Sequence, residues 1–167
     1  MTTPLVSRST RCQYAHDLTS ITRAAAIPDC GTHHQSRVSS VLNRAAKEYG
    51  KQFMLDGQED TCWNSDQGSP QWVTLHFEQA VNVTEVQLMF QGGFVGKECE
   101  VLVATAAAGG ASSSVARFYP DDNNTLQRFA VHANGITQLK LLFHSSTDFF
   151  GRVTIYVLQV LGEVAST

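Results

Sequence analysis

Leu55-Asp56-Gly57-Gln58-Glu59-Asp60-Thr61-Cys62-Trp63, followed by Gln71-Trp72-Val73-Thr74-Leu75-His76-Phe77, decides the fold of this chain. The first stretch is an acidic Asp-Gly turn closed by a threonine and a tryptophan. In the second, Val73, Leu75 and Phe77 alternate with Trp72, Thr74 and His76, the period of two that turns one strand face to a core. Working outward, segments 81–91, 98–104, 115–119, 126–131, 138–143 and 152–161 are β-branched and apolar, and read as strands. Turn chemistry separates them: Gly68-Ser69-Pro70, Gly92-Gly93, Gly109-Gly110, Pro120-Asp121-Asp122-Asn123-Asn124 and Asn134-Gly135. The Asn-Gly pair predicts a hairpin. Segment 41–49 is the only helical candidate, and 106–114 reads as a flexible small-residue loop. So many short strands predict an all-β chain, an antiparallel β-sandwich of jelly-roll type.

Composition sets the limits of function. The 167 residues are 43% hydrophobic and 16% charged, enough for one domain with a real core. A net charge of −3 argues against nucleic acid as a partner. No apolar run approaches the roughly 18 residues of a membrane span. Residues 1–34 lack either periodicity and read as a flexible N-terminal extension, with 35–164 as the domain. Arg8, Arg11 and Arg23 outnumber the acids of that extension, a balance that a targeting segment shares. Cys12, Cys30, Cys62 and Cys99 leave the C-terminal part without a partner for an end-to-end disulfide, so reduced thiols in the nucleus or cytoplasm are expected. The sequons at Asn82 and Asn123 then read as chance matches. Cys30, His33 and His34 lack a second ligand pair for zinc. No nucleophile elbow or triad pattern accompanies the serines and histidines, so no enzyme is expected.

Counting strands places loops. If successive strands run up and down from Trp72, loops 63–71, 91–97, 119–125 and 144–151 gather at one end, with 78–80, 105–114 and 132–136 at the other. The first end would carry Asn64, Asp66, Gln67, Phe94, Tyr119, Asp121, Asp122, Asn123, Asp148, Phe149, Phe150 and Arg152 as a binding rim. Phe149 and Phe150 are adjacent, so in an extended stretch one would be core and the other exposed beside Arg152. Arg152 would pair with Asp148 or Asp66, and 121–124 would form a solvated turn. Trp63 and Trp72 are expected in the core, and Cys62 as a small buried hydrophobe.

Asp56-Gly57, Thr61-x-Trp63, Gln71-Trp72-Val73-Thr74-Leu75, and Val83-Thr84-Glu85-Val86 leading into Gln91-Gly92 together resemble the discoidin, or coagulation-factor type C, family. Ser39-Ser40 and Val160-Leu161-Gly162 fit the same pattern, which covers about 36–163. The resemblance implies a galactose-binding-like jelly roll. It also implies a weak calcium candidate at the acidic turn, with Asp56, the Thr61 hydroxyl and a carbonyl near Gln58 as ligands. The family's further acidic ligand falls on Val157, and the turn reads equally as an Asx turn with no cofactor.

Longer phrases are similar to a family of small nuclear-receptor-associated proteins: Ser36-Arg37-Val38-Ser39-Ser40, Thr61-Cys62-Trp63-Asn64-Ser65-Asp66-Gln67-Gly68, Phe118-Tyr119-Pro120-Asp121-Asp122 and Asp148-Phe149-Phe150-Gly151-Arg152. That resemblance implies a non-enzymatic intracellular module that represses transcription, with a nuclear receptor as protein partner. The N-terminal extension and the alanine-rich loop 104–111 depart from it. A carbohydrate is the alternative partner, favoured if an exposed Phe forms a flat platform beside Asn or Arg donors. Membrane binding is disfavoured by the acidic rim.

Overall fold

The computed structural model describes residues 35–166. The expected extension 1–34, with Cys12, Cys30, His33 and His34, lies outside the described residues. Strands β1 (Gln35–Val38), β2 (Trp63–Asn64), β3 (Gln71–Phe90), β4 (Gly96–Ala104), β5 (Ser113–Phe118), β6 (Leu126–Ser146) and β7 (Thr154–Val164) are ordered β2-β7-β3-β6-β4-β5, with β1 on β3. Every pairing is antiparallel. The helical candidate at 41–49 survives only as broken turns, a 3-10 turn at Leu42–Arg44 and the single turn α1 (Ala46–Tyr49). Asn43 and Arg44 both take positive φ there, 52° and 59°, which ends any regular helix.

Two expected breaks are not breaks. The strands read at 72–77 and 81–91 are one strand, β3, and those at 126–131 and 138–143 are one strand, β6. Asn134-Gly135 therefore makes no hairpin: Gly135 takes φ +64°, and its N–H donates to the Asn82 side chain as the chain runs on. This is the glycine conformation of a bulge, and the β3–β6 register shifts between His76 and Glu85.

Those irregularities build the sandwich. Gln71 pairs with Phe143 at one end of the β3–β6 ribbon and Met89 with Leu126 at the other. A straight 20-residue strand would hold its ends about 65 Å apart. Yet the rings of Phe90 and Phe143, from opposite ends of the ribbon, meet edge-on with centroids 6.0 Å apart. The ribbon is folded over on itself near 77–81 and 132–137. One layer holds β1, the first part of β3, the second part of β6, β4 and β5; the other holds the rest of β3 and β6 with β7 and β2. Between them lie Val73, Leu75, Val101, Leu139, Leu141 and Phe143 against Leu88, Phe90, Val131, Ile155 and Leu158. Burial along β3 follows Val81 and Val83, then slips one position to Val86, Leu88 and Phe90 at the bulge.

Trp63 is fully buried, and its indole N–H donates to the Ser40 carbonyl at 3.0 Å. Trp72 is not core. Flanked by buried Gln71 and Val73, it points to the outer face of its layer, half-buried under the Lys140 ammonium at 5.0 Å. Cys62 is likewise only half-buried, while Cys99 is buried; both are free thiols whose pKa values burial pushes up.

Candidate functional site

Folding the ribbon brings both its ends to one end of the sandwich, and the loops there are bonded to one another. Gly68 N–H donates to the Phe150 carbonyl, Thr147 and Val95 are paired through backbone and hydroxyl, and Gly92 and Gly93 N–H groups donate to Asn124 and Asp122. The four loops that strand counting assigned to one end are thus in contact, although four of the strands counted were halves of two longer ones. Each merge joins two strands across a fold, which preserves the alternation of ends.

At the centre is the turn Asp148-Phe149-Phe150-Gly151-Arg152. The Asp148 carboxylate accepts from the Phe150 and Arg152 N–H groups and from Arg152 Nε (2.9 Å) and Nη2 (3.0 Å). The guanidinium lies 5.0 Å from the Phe94 ring centroid and 5.5 Å from that of Phe150. Gly151 has φ +79°, and a Cβ there would meet the Gly68 backbone at 2.9 Å, so loops 148–152 and 66–70 touch main chain to main chain. Phe149 is 94% exposed and Phe150 56%. The expectation that one of them is core is therefore wrong. Both sit in a hydrogen-bonded turn, where the strict side-to-side alternation of a strand does not apply. Arg152 is also not a free anchor, because its fork is taken by Asp148, and Asp66 is not its partner.

Hydrogen bonds from the Arg152 side chain hold the Asp148 carboxyl below the usual range, against the opposing effect of burial. A carboxyl depressed on folding stabilises the fold above its ordinary range near pH 4, and that contribution is lost as pH falls through the depressed value. Protection of the Phe150 and Arg152 amides, taken relative to intrinsic exchange at each pH, should therefore fall on going from pH 6 to pH 3. In Asp148→Asn the turn should already exchange fast at pH 6.

Beside the turn is an open cavity of ≈ 390 Å³ lined by Leu42, Asn43, Asp66, Gln67, Phe150 and Arg152. Leu42 and Asn43 were not foreseen; the asparagine at a turn, tolerant of positive φ, was the available signal. Gln71 was also missed. Only 4% exposed, it accepts from the Ser39 and Ser40 hydroxyls and donates to the Asp66 (2.9 Å) and Gly68 (2.7 Å) carbonyls, so all four of its bonding positions are used. Ser40 Oγ also accepts from Asp66 N–H at 3.0 Å. This buried network fixes the Asn43 turn to the Asp66 loop.

The remaining rim residues lie around this centre. Asn64 faces Thr154 across β2 and β7, and its Oδ1 and the Thr154 hydroxyl are buried without partners among the described residues. Tyr119 is exposed. Asp121 N–H donates to Gln127 Oε1, and Asn123 Oδ1 accepts from Thr125, so 121–125 closes on itself. None of Asn64, Tyr119, Asp121 and Asn123 lines the cavity. At the acidic turn Asp56 Oδ2 accepts from the Thr61 hydroxyl (2.8 Å) and Oδ1 from Gln58 N–H (2.9 Å), with Gly57 at φ +73°. Val157, at the position of the further acidic ligand, is buried.

Residues 53–139 match the family model of the F5/F8 type C, NedA-like galactose-binding domain. The nuclear receptor 2C2-associated protein of Danio rerio is 53% identical over 130 residues, covering 77% of this chain and 91% of that protein. The human protein of the same name is 50% identical over 130 residues, covering 77% and 91%. Among solved structures, an F5/8 type C domain from Bacteroides fragilis superposes with a TM-score of 0.69 at 12% identity, covering 80% of this chain and 93% of that one. The family 32 carbohydrate-binding module of Clostridium perfringens NanJ, solved with galactose, superposes at 0.63 with 16% identity over 77% and 93%.

Proposed function

We propose that this chain, which belongs to the F5/F8 type C, galactose-binding-like family, is a non-enzymatic protein-interaction module of the nucleus or cytoplasm. Its partner is a nuclear receptor of the kind named in its relatives, whose transcriptional activity it represses, and docking is through the loop rim. The observation that carries the reading is Phe149, 94% exposed on a turn that the Asp148 carboxylate braces. An aromatic side chain with two rotatable bonds on a braced backbone loses little conformational entropy on docking, which is the character of an interface anchor. Identity of half the residues over nine-tenths of the relatives' length supports the partner class.

The test uses purified nuclear receptor 2C2 on a sensor surface. Saturable binding of this chain, reduced by rim substitutions, is the expected result. Absence of binding over the micromolar range would overturn the reading.

A sugar is the second reading, favoured by one observation: Phe150 shares its cavity with Asn43, Asp66, Gln67 and Arg152, polar groups suited to hydroxyls. Against it, Phe149 and Phe150 stand at 88° to each other and form no common flat platform. Galactose titration followed by calorimetry separates the two.

The acidic turn we read as structural. Both Asp56 oxygens already accept internal bonds, and Val157 supplies no charge. Calorimetric titration should show no calcium binding tighter than about millimolar. Micromolar binding lost in Asp56→Ala would reverse this assignment.

A further inference from the structure

A second cavity lies beside β1; it shares no lining residue with the rim cavity, although its Val41 adjoins Leu42 there. It is ≈ 370 Å³ and lined by Arg37, Val38, Val41, Lys51 and Trp72, with the turn around Ala46, Gly50 and Gln52 as its wall. That wall is tightly built: a Cβ on Gly50 would lie 2.3 Å from the Ala46 carbonyl. Lys51 reaches back to donate to the Ser36 carbonyl, which holds its ammonium at the cavity. Lys140 stands over the Trp72 ring at 5.0 Å.

Charge singles this place out. The chain carries a net −3, yet Arg37, Lys51 and Lys140 collect around one half-buried indole. None of the three is ion-paired among the described residues, where the ion pairs involve Arg117, His144 and Arg152. The one acid on the same turn, Glu48, is exposed and forms no ion pair either. The Ser36 carbonyl and the Trp72 ring each hold one ammonium, but no carboxylate neutralises the three like charges, which repel one another.

We propose that this cavity is a docking site for an acidic peptide segment of a partner protein. Arg37 is placed to take a carboxylate in its fork, while Lys51 and Lys140 supply further positive charge. Trp72, Val38 and Val41 give an apolar floor for a side chain between the acids. The site has its own lining residues and stands whether or not the rim reading holds.

The probe is a short fluorescein-labelled peptide of repeated Glu-Glu-Leu, compared with its Lys-Lys-Leu counterpart, added to the intact chain. Expected are saturable binding of the acidic peptide alone and a shift of the Trp72 indole N–H resonance, with that of Trp63 unmoved. The affinity should fall roughly tenfold as salt rises from about 50 to 300 mM. Arg37→Glu or Lys140→Glu should weaken binding at least tenfold with the melting temperature retained, and Phe149→Ala should leave binding unchanged. Equal binding of the basic peptide, or unchanged affinity in both charge reversals, would overturn the proposal. So would tighter binding of an oligodeoxythymidine than of the acidic peptide, since the patch would then be a general polyanion surface.

Discussion

Replacing Trp63 with alanine should destabilise the domain by about 3–5 kcal/mol, the range for deleting a large buried aromatic. The ring is fully buried, and its strand β2 is only two residues long, held by Ile155 and Thr154 of β7. Backbone pairing there is too short to keep the shape without the side chain. Losing the indole also strips the Ser40 carbonyl of its donor, next to the Gln71 network. The loss should therefore appear twice, in a lower urea midpoint and in faster exchange of the Asp66 amide. A shift equivalent to less than about 1 kcal/mol would remove Trp63 from the core.

Replacing Phe149 and Phe150 together by alanine should weaken receptor binding by about 2–4 kcal/mol, roughly 30- to 1000-fold, while leaving the melting temperature nearly unchanged. Both rings are mostly in solvent, so their removal costs little burial. Arg152 belongs to a different class. Its bonds to Asp148 and its stacking on Phe94 make it a brace of the turn, and Arg152→Ala should cost stability as well as binding. Substitutions in Ala106–Ala108, between β4 and β5 at the opposite end, should leave binding intact. If those lost the partner while the double phenylalanine variant kept it, the rim would be the wrong surface.

The layered fold and the composition of the rim were legible in the sequence because both rest on local signals. Alternation of Val73, Leu75 and Phe77 reports a buried face, and turn residues report where loops fall. What was not legible depended on the third dimension. Asn134-Gly135 carries the chemistry of a hairpin, but Asn82 on the neighbouring strand takes its N–H and the chain passes straight through. Phe149 and Phe150 look like a strand pair until the turn closed by Gly151 is known. Trp72 reads as core because it is large and apolar, yet the same alternation that buries Val73 and Leu75 sets it on the outer face, and there size misleads. Gln71, buried and fully bonded, has no signature in one sequence, since its four partners come from positions 39, 40, 66 and 68.

The folded-over ribbon has a consequence for biosynthesis. Both halves of β3, in separate layers, take their partner from β6, which leaves the ribosome only after β4 and β5 have been made. Until then the nascent chain presents a long apolar β3 whose sole earlier neighbour is the four-residue β1. Neither layer can close before residue 146 has emerged, and β7 completes the second. The domain must therefore be acquired nearly whole and late, with β3 left open to non-native pairing in the interval. A transcript truncated anywhere before β6 would yield an aggregation-prone fragment rather than a smaller folded one.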